Sequence, residues 1–414
     1  MKLALIDNMN NNFFSIARYL RDAGLEVDLY TIPGANDHFN PQSDTFEDIN
    51  SLTWIKRFPI AYYRYRSLVP QIGKSLEVFK HYDLLIACGL AMAVLRRYGI
   101  GVDIFIPYGS DLYILPFCLR VIKGIKITKW IYALPYFWCM SYCQGKAIQD
   151  ARVIITNSRH KMYKEALDKL DRKCLNIGLP MVYGNYSFPP FKEWDFLKEH
   201  DFVVFNHSRH IWASNPDNLE DFSTHLGNKR NDKLLRAFSR FVKVTRFRSP
   251  LLVTFEYGPD VEQSKKLTKE LHIEDYVKWM PLSDRKFIMA GLRHSTIGVD
   301  QLREGLSGIG GTGYQVMASG VPLITYTNGA TADPTHPFFQ APIIDTHEEE
   351  KIFLTFRDYE TNPAKYKELG IASKKWFNEN LGMGLAKKFV KLFQLLAENK
   401  KITSGDPQVI ELFT

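Results

Sequence analysis

The stretch VDQLREGLSGIGGTGYQVMASGVPLI, residues 299–324, decides how the whole chain is read. A β-prone run over 296–299 ends in Asp300 and Gln301. A glycine-dense loop follows, with Gly305, Gly308, Gly310, Gly311 and Gly313. A short helical pattern over 314–319 closes at Gly320, and Val321-Pro322-Leu323-Ile324 reads as the next buried strand. Strand, loop, helix, strand is the repeating unit of an α/β domain. Glycine lets backbone come close to a ligand. A helix N-terminus behind such a loop offers free N–H groups and partial positive charge. Gly308, Gly310, Gly311, Thr312 and Gly313 are therefore candidates for holding a phosphate-bearing ligand. An ordinary glycine-rich turn satisfies the same pattern, and both readings stand at this point.

The chain has 414 residues, more than one hydrophobic core usually serves, so two domains are expected. No apolar run is long and clean enough to span a bilayer, and the apolar part of MKLALIDNMNNN is too short for a secretory signal, so it reads as a first strand. Five cysteines, odd in number and without metal-site spacing, fit a reducing cytoplasm. Cys139 and Cys143 stand at helical spacing and read as packing. A net charge of +8 suits an anionic ligand or surface: nucleotide sugar, anionic lipid or nucleic acid. The basic residues are dispersed and no nucleic-acid motif is present, which sets nucleic acid aside.

Along the chain, 2–6 is a strand, 15–23 a helix with Ile16, Ala17 and Leu20 on one face, and 25–30 a second strand. The asparagines between them, Asn8 to Asn12, suit helix capping or contact with a ligand. Strands at 83–88 and 103–107 follow, the second running into Tyr108-Gly109-Ser110-Asp111. A carboxylate at a strand's C-terminal end either meets a ligand hydroxyl or caps the next segment. Residues 112–144 mix Trp130, Tyr132, Tyr136, Phe137 and Trp138 with Arg120, Lys123, Lys126 and Lys129, and contain no acid. The segment 56–74 has the same flavour, in FPIAYYRYRSLVPQ. That composition suits a membrane interface, and equally a core helix with a solvated lysine face. Prolines and glycines over 175–198 mark a linker. A second α/β unit opens with a strand at 202–205 and Asn206-His207-Ser208-Arg209-His210. A helix over 231–242, which Asn231 is placed to cap, a strand at 251–255 and a helix at 261–272 follow. The chain ends in helical patterns over 365–378 and 385–398.

QVMASGVPLI resembles the E-A-M-A-x-G-x-P-V-I segment of retaining glycosyltransferases with the GT-B fold, especially family 4. Other likenesses cover most of the chain. Y-G-S-D at 108–111 resembles the family's H-G-x-D, and D-A-R-V-I-I-T-N-S at 150–158 its A-D-x-V-I-x-x-S. Ser208-Arg209 with K-R-N-D-K-L-L-R-A-F at 229–238 resembles G-R…K-G-x-D-x-L-L-x-A-F. The resemblance implies that Arg209 and Lys229 grip a donor diphosphate, and that Asp111 serves the reaction. It implies that the run through Trp279 and Pro281 lies around the nucleobase, and that Asp300, Gln301 and Gln315 contact the donor. The family's Glu-x7-Glu motif falls on Ser307 and Gln315, so neither glutamate is present. Glu304 is a second candidate for the lost sugar contact, with an ordinary surface glutamate as the other reading.

The expectation is an α/β chain of the GT-B type. Two Rossmann-like domains, 1–185 and 200–380, would face across a cleft, with 381–414 crossing back to the first. The expected activity is transfer of a sugar from a nucleotide sugar to a glycan or lipid-linked hydroxyl acceptor. It would be metal-independent and cofactor-free, in the cytoplasm, with peripheral membrane contact. A GT-B nucleotide-sugar epimerase and a non-catalytic glycan- or partner-binding homologue are the alternatives.

Overall fold

Every residue of Leu3–Ile6 is buried, and a strand apolar on both faces belongs in a parallel sheet covered by helices. The computed structural model describes residues 1–413 except 35–38, 60–71, 121–133, 190–191, 214–227 and 305–307. Two compact units are present. Unit 1 holds Met1–Ser43, Glu47–Met181 and Met383–Thr414; unit 2 holds Asp44–Phe46 and Val182–Gly382.

Unit 1 contains β1 (Lys2–Ile6), β2 (Glu26–Thr31), β3 (Ile55–Arg57), β4 (Leu84–Ala87), β5 (Ile104–Phe105) and β6 (Val153–Ile154). All are parallel, in the order β3-β2-β1-β4-β5-β6. Strand order reverses between β1 and β4. Helix α1 (Asn12–Asp22) follows β1 and starts earlier than its apolar pattern suggests. Asn8 explains the early start: its side-chain oxygen accepts from Phe14 N at 2.9 Å, giving a first-turn amide an acceptor from outside the helix. Helix α2 (Leu134–Asp150) comes from the aromatic stretch. Tyr136, Met140, Cys143 and Ala147 bury one face of it, while Trp138 and Tyr142 stand 63% and 65% exposed on another. Trp130, Tyr132, Lys123, Lys126 and Lys129 lie outside the described residues, as does most of 58–71.

Unit 2 repeats the plan with β7 (Phe202–Asn206), β8 (Pro250–Phe255), β9 (Val277–Met280), β10 (Ile297–Val299), β11 (Leu323–Thr325) and β12 (Ile344–Asp345). The order is β12-β11-β10-β7-β8-β9, again all parallel, reversing between β7 and β10. Helix α3 (Asn231–Val242) buries Leu234, Leu235, Phe238 and Phe241, the face its spacing predicts. Its start differs from expectation. The cap position is Arg230, left-handed at φ 54°, and Asn231 turns its side chain inward instead of capping. Asn231 Nδ2 donates to Asn206 Oδ1 and Ser208 Oγ, and its Oδ1 accepts from Ile211 N. A buried polar group must find partners, and those at the end of β7 outweigh a solvent-facing cap. Helix α4 (Arg285–Leu292) precedes β10. Helix α5 (Gly311–Ser319) follows it, taking in two glycines that the pattern had left in the loop.

The chain then rejoins unit 1 through α6 (Met383–Glu398). Leu385, Phe389, Leu392, Phe393 and Leu396 enter the core beside Leu3, Leu5 and Phe13. Arg152 clasps the helix end, donating to Leu396 O at 2.8 Å and Asn399 O at 2.5 Å. A cation at a helix C-terminus also meets the negative end of its dipole.

A candidate donor site where strand order reverses in unit 2

In an open α/β sheet, ligands bind beyond the strand C-termini where strand order reverses. In unit 2 that place lies between the ends of β7 and β10. Asn206 ties the two strand ends, its Nδ2 donating to Val299 O at 2.9 Å.

Asp300 and Gln301 leave β10 and organise the loop between it and α5. Asp300 Oδ2 accepts from Gly310 N at 3.1 Å, which anchors the residue capping α5. Asp300 Oδ1 stands 3.9 Å from Lys229 Nζ, an ion pair without a hydrogen bond. Gln301 Oε1 accepts from Lys229 Nζ at 3.1 Å, and its Nε2 donates to Gly308 O at 3.1 Å. One carboxylate and one amide thus fix both the glycine loop and the lysine. Lys229 N donates to Ile211 O at 2.7 Å, and Leu302 N to Lys229 O at 3.0 Å. Those bonds return Lys229 to within two residues of Arg209 despite the long intervening segment. Arg209 itself is exposed, its guanidinium 6.0 Å from the centre of the Tyr257 ring.

The glycines divide into two kinds. A Cβ on Gly308 would lie 2.5 Å from Phe338, one on Gly310 2.9 Å from Asp300 Oδ2, and one on Gly313 2.4 Å from Ile309. The protein's own packing requires these three. Among the described residues, a Cβ on Gly311 meets nothing within 4 Å. Gly311 is the first residue of α5, with Thr312 and Gly313 completing a first turn whose amides the helix itself leaves unbonded. The described residues thus leave space at the positive end of a helix, with Lys229 held by Asp300 and Gln301 of the same loop.

Gln315, one turn further on, is buried, and among the described residues its Oε1 has no partner in good hydrogen-bond geometry. Ser307 lies outside the described residues. Glu304 is 67% exposed at its side chain and reaches His347 at 3.1 Å and Lys233 at 3.9 Å, as a surface glutamate does. Trp279 and Pro281 lie on the other arm of the sheet, at edge strand β9 and just after it. The Trp279 ring sits 5.1 Å from that of His210 and 5.8 Å from Lys265 Nζ. His207, which no sequence motif singles out, follows β7 directly and is buried. Among the described residues no group stands in good hydrogen-bond geometry to either ring nitrogen, and Gln315 is its polar neighbour.

Asp111 belongs to the corresponding place in unit 1, beyond β1 and β4. It is fully buried and accepts from Gly89 N at 2.8 Å, Gly109 N at 2.9 Å and Tyr108 N at 3.1 Å. Burial pushes its pKa up to about 7, with those three amides opposing the rise and Asp7 adding to it. Gln144 of α2 locks the same loops, donating to Asp111 O at 2.9 Å and Gly89 O at 3.2 Å. Among the described residues no cluster of three or more His, Cys, Asp or Glu side chains is arranged to hold a metal ion.

No protein-family model matches the chain, and no curated protein does. Solved structures do. Anabaena HepE, crystallised in complex with UDP, superposes with a TM-score of 0.57 at 13% identity, over 96% of this chain and 100% of that one. The fold is GT-B. Sucrose-phosphate synthase from Thermosynechococcus elongatus shares it, with a TM-score of 0.55 at 13% identity over 96% of this chain and 100% of its own. So does a putative UDP-N-acetylglucosamine 2-epimerase from Listeria monocytogenes, with a TM-score of 0.52 at 12% identity over 97% and 99%. At these identities the likeness is one of fold, and the GT-B architecture is what the chains hold in common.

Proposed function

We propose that this GT-B chain transfers a sugar from a nucleotide-sugar donor to a hydroxyl acceptor. The observation that carries the reading is Gly311, whose place at the start of α5 no neighbouring atom of the described residues demands. Replacing a glycine by alanine where the backbone suits both stabilises a chain by about 0.4–1 kcal/mol, so a glycine kept at such a place without a packing reason calls for another account. Room for a ligand against the first-turn amides accounts for it. A diphosphate placed there meets those amides and Lys229, with Arg209 supplying a second cation from the loop after β7. Departure of a nucleoside diphosphate concentrates negative charge on its terminal phosphate. Fixed cations and helix amides stabilise such charge most where it is greatest. The HepE structures in complex with UDP and with UDP-glucose support a uridine nucleotide as the first donor to try. Retention of anomeric configuration, independence of metal and a role in cell-surface glycan synthesis complete the reading. So do an acceptor that is a glycan or lipid-linked, and peripheral contact with a cytoplasmic membrane face. In unit 1 Asp111 holds the loops where that acceptor is received.

The test is calorimetric titration with UDP and UDP-glucose on the wild-type chain and on Gly311→Ala. Wild type binds, while the variant gains roughly 0.4–1 kcal/mol of folding stability and loses affinity about tenfold. A variant that binds as tightly as wild type overturns the site. The likeness to an epimerase supports a second reading, and product analysis separates them. Free UDP and glycosylated acceptor mark a transferase; interconverted nucleotide sugars mark an epimerase.

A further inference from the structure

Unit 1 gathers four side-chain oxygens over two glycines. Gly89 lies in the loop after β4 and Gly109 in the loop after β5, and both have positive φ, 64° and 143°. Their amides share one acceptor, the buried Asp111 carboxylate. A Cβ on Gly89 would collide with Asp7 Oδ2 and lie 3.1 Å from the Tyr108 hydroxyl. One on Gly109 would lie 3.4 Å from the Tyr113 hydroxyl and 3.7 Å from that of Tyr163. Asp7 comes from the end of β1, Tyr108 and Tyr113 from either side of Gly109, and Tyr163 from the helix Lys161–Lys169. Asn8 N donates to Asp7 Oδ1 at 2.6 Å, which leaves Oδ2 turned toward Gly89. All four residues are half-buried, so the cluster stands at the surface of the unit. It lies beyond the C-terminal ends of parallel strands, beside the reversal between β1 and β4, where α/β sheets receive ligands.

The chemistry of the cluster selects its ligand. Burial, and then the Asp111 charge, push the Tyr113 and Tyr163 phenols up, so both keep the proton and donate as well as accept. The Asp7 carboxylate only accepts. An anionic ligand would be set against Asp7 and Asp111. A hydrocarbon chain would cover the oxygens and satisfy none of them. A neutral sugar presents several hydroxyls, each a donor and an acceptor. Its C–H face lies well on tyrosine rings, which are apolar in the body and polar at the tip. Tyr113 and Tyr163 stack with centroids 5.7 Å apart and supply such a wall.

We propose that Asp7, Tyr108, Tyr113 and Tyr163 form a subsite for a neutral saccharide, so that the hydroxyl acceptor is a sugar residue whether or not a lipid carries it. The acceptor role rests on the transferase reading above.

The probes are the methyl glycosides of glucose, galactose, mannose and N-acetylglucosamine. Each is titrated by ligand-observed NMR against wild type, Tyr113→Phe, Tyr163→Phe and Asp7→Asn, and UDP and UDP-glucose are titrated against the same chains. Wild type binds at least one glycoside. Each phenylalanine variant weakens it about two- to tenfold, the worth of one neutral hydrogen bond, and Asp7→Asn by about tenfold or more, since that bond is to a charge. Asparagine suits the left-handed backbone of Asp7, at φ 80°, and each phenylalanine loses one atom, so the melting temperature holds. Affinity for UDP and UDP-glucose is unchanged in all three. A wild type that binds no glycoside, or variants that bind it as tightly as wild type, overturn the subsite and leave the donor site standing. Variants that lose UDP-glucose relative to UDP show these oxygens reading the donor sugar, and overturn the acceptor role. A chain that binds a glycoside but not UDP keeps the saccharide subsite and loses the transferase reading, the acceptor role with it.

Discussion

Arg209 and Lys229 carry the same charge in different settings, and their variants should separate accordingly. Arg209 is exposed, so Arg209→Ala leaves the melting temperature unchanged and weakens nucleoside diphosphate binding by roughly 1–3 kcal/mol, the scale of a lost charge-assisted contact. Lys229 is the ion-pair partner of Asp300, which is fully buried at its side chain. Lys229→Ala therefore lowers stability as well as affinity, since it leaves a buried carboxylate unpaired. Calorimetry and thermal melts on both variants check the contrast, and an unchanged affinity in both removes the diphosphate site. Acid should act on unit 2 through two neutral histidines. Burial holds His207 down to about 3 and His210 to about 4, well below the unfolded value near 6.5. For a depressed histidine, stability is complete above the unfolded pKa and falls with pH, because the unfolded chain takes up protons that the folded unit refuses. Going from pH 7 to pH 5 then removes about 2 kcal/mol per ring. His207→Leu should lose that much less than wild type in denaturant melts at the two pH values; equal losses would show that the ring is not held neutral. Asp111 works the other way in unit 1. Its folded pKa of about 7 lies above the unfolded value, so its burial opposes folding most above pH 7 and is relieved as pH falls.

At the scale of elements, α5 and β10 meet through Gly298, where a Cβ would lie 2.5 Å from Val316 Cγ1. Gly298→Ala should destabilise by about 1–3 kcal/mol through overpacking. Val316→Ala in the same chain should recover most of it. Denaturant titration of the two single variants and the double gives the coupling, and purely additive losses would mean that the two elements do not touch there. The strands were legible because parallel strands are continuous apolar runs: β1 is found at 2–6 as its pattern marks it. Element ends were less legible. Gly311 and Gly313 disguised the first turn of α5 because low helix propensity reads as loop, and only the Asp300 bond to Gly310 N shows where that helix is capped. Asn231 suited a cap, but its choice was made by Asn206 and Ser208, which sequence spacing does not bring near it. Motif resemblance singled out Arg209, Lys229, Asp300, Gln301 and Gln315, and the fold brings Lys229 against Asp300 and Gln301. His207 was not singled out, because its burial beside Gln315 depends on two elements far apart in the chain.

For the whole molecule, the basic balance and the exposed Trp138 and Tyr142 of α2 favour peripheral attachment to an anionic bilayer. Among the described residues no helix is long and apolar enough to cross one. Flotation with anionic liposomes should recover the chain at low salt and lose it as salt screens the attraction. Trp138→Ala with Tyr142→Ala should weaken the low-salt recovery. Sedimentation of wild type at every salt concentration would refute the attachment. The two-unit plan was readable from chain length and from two sets of βα patterns. The recruitment of α6 to unit 1 came from resemblance, since its apolar stripe fits many surfaces and only the partners Leu3, Leu5 and Phe13 reveal its place. That recruitment bears on synthesis. Unit 1 breaks off at Met181 and resumes at Met383, roughly two hundred residues later. A ribosome adding about 5–20 residues per second needs about 10–40 s to cover that interval. Throughout it the nascent first sheet waits with the α6 side of its core uncovered, while unit 2 emerges with nearly all of its sequence in one run. The unit begun first is therefore the last to be finished.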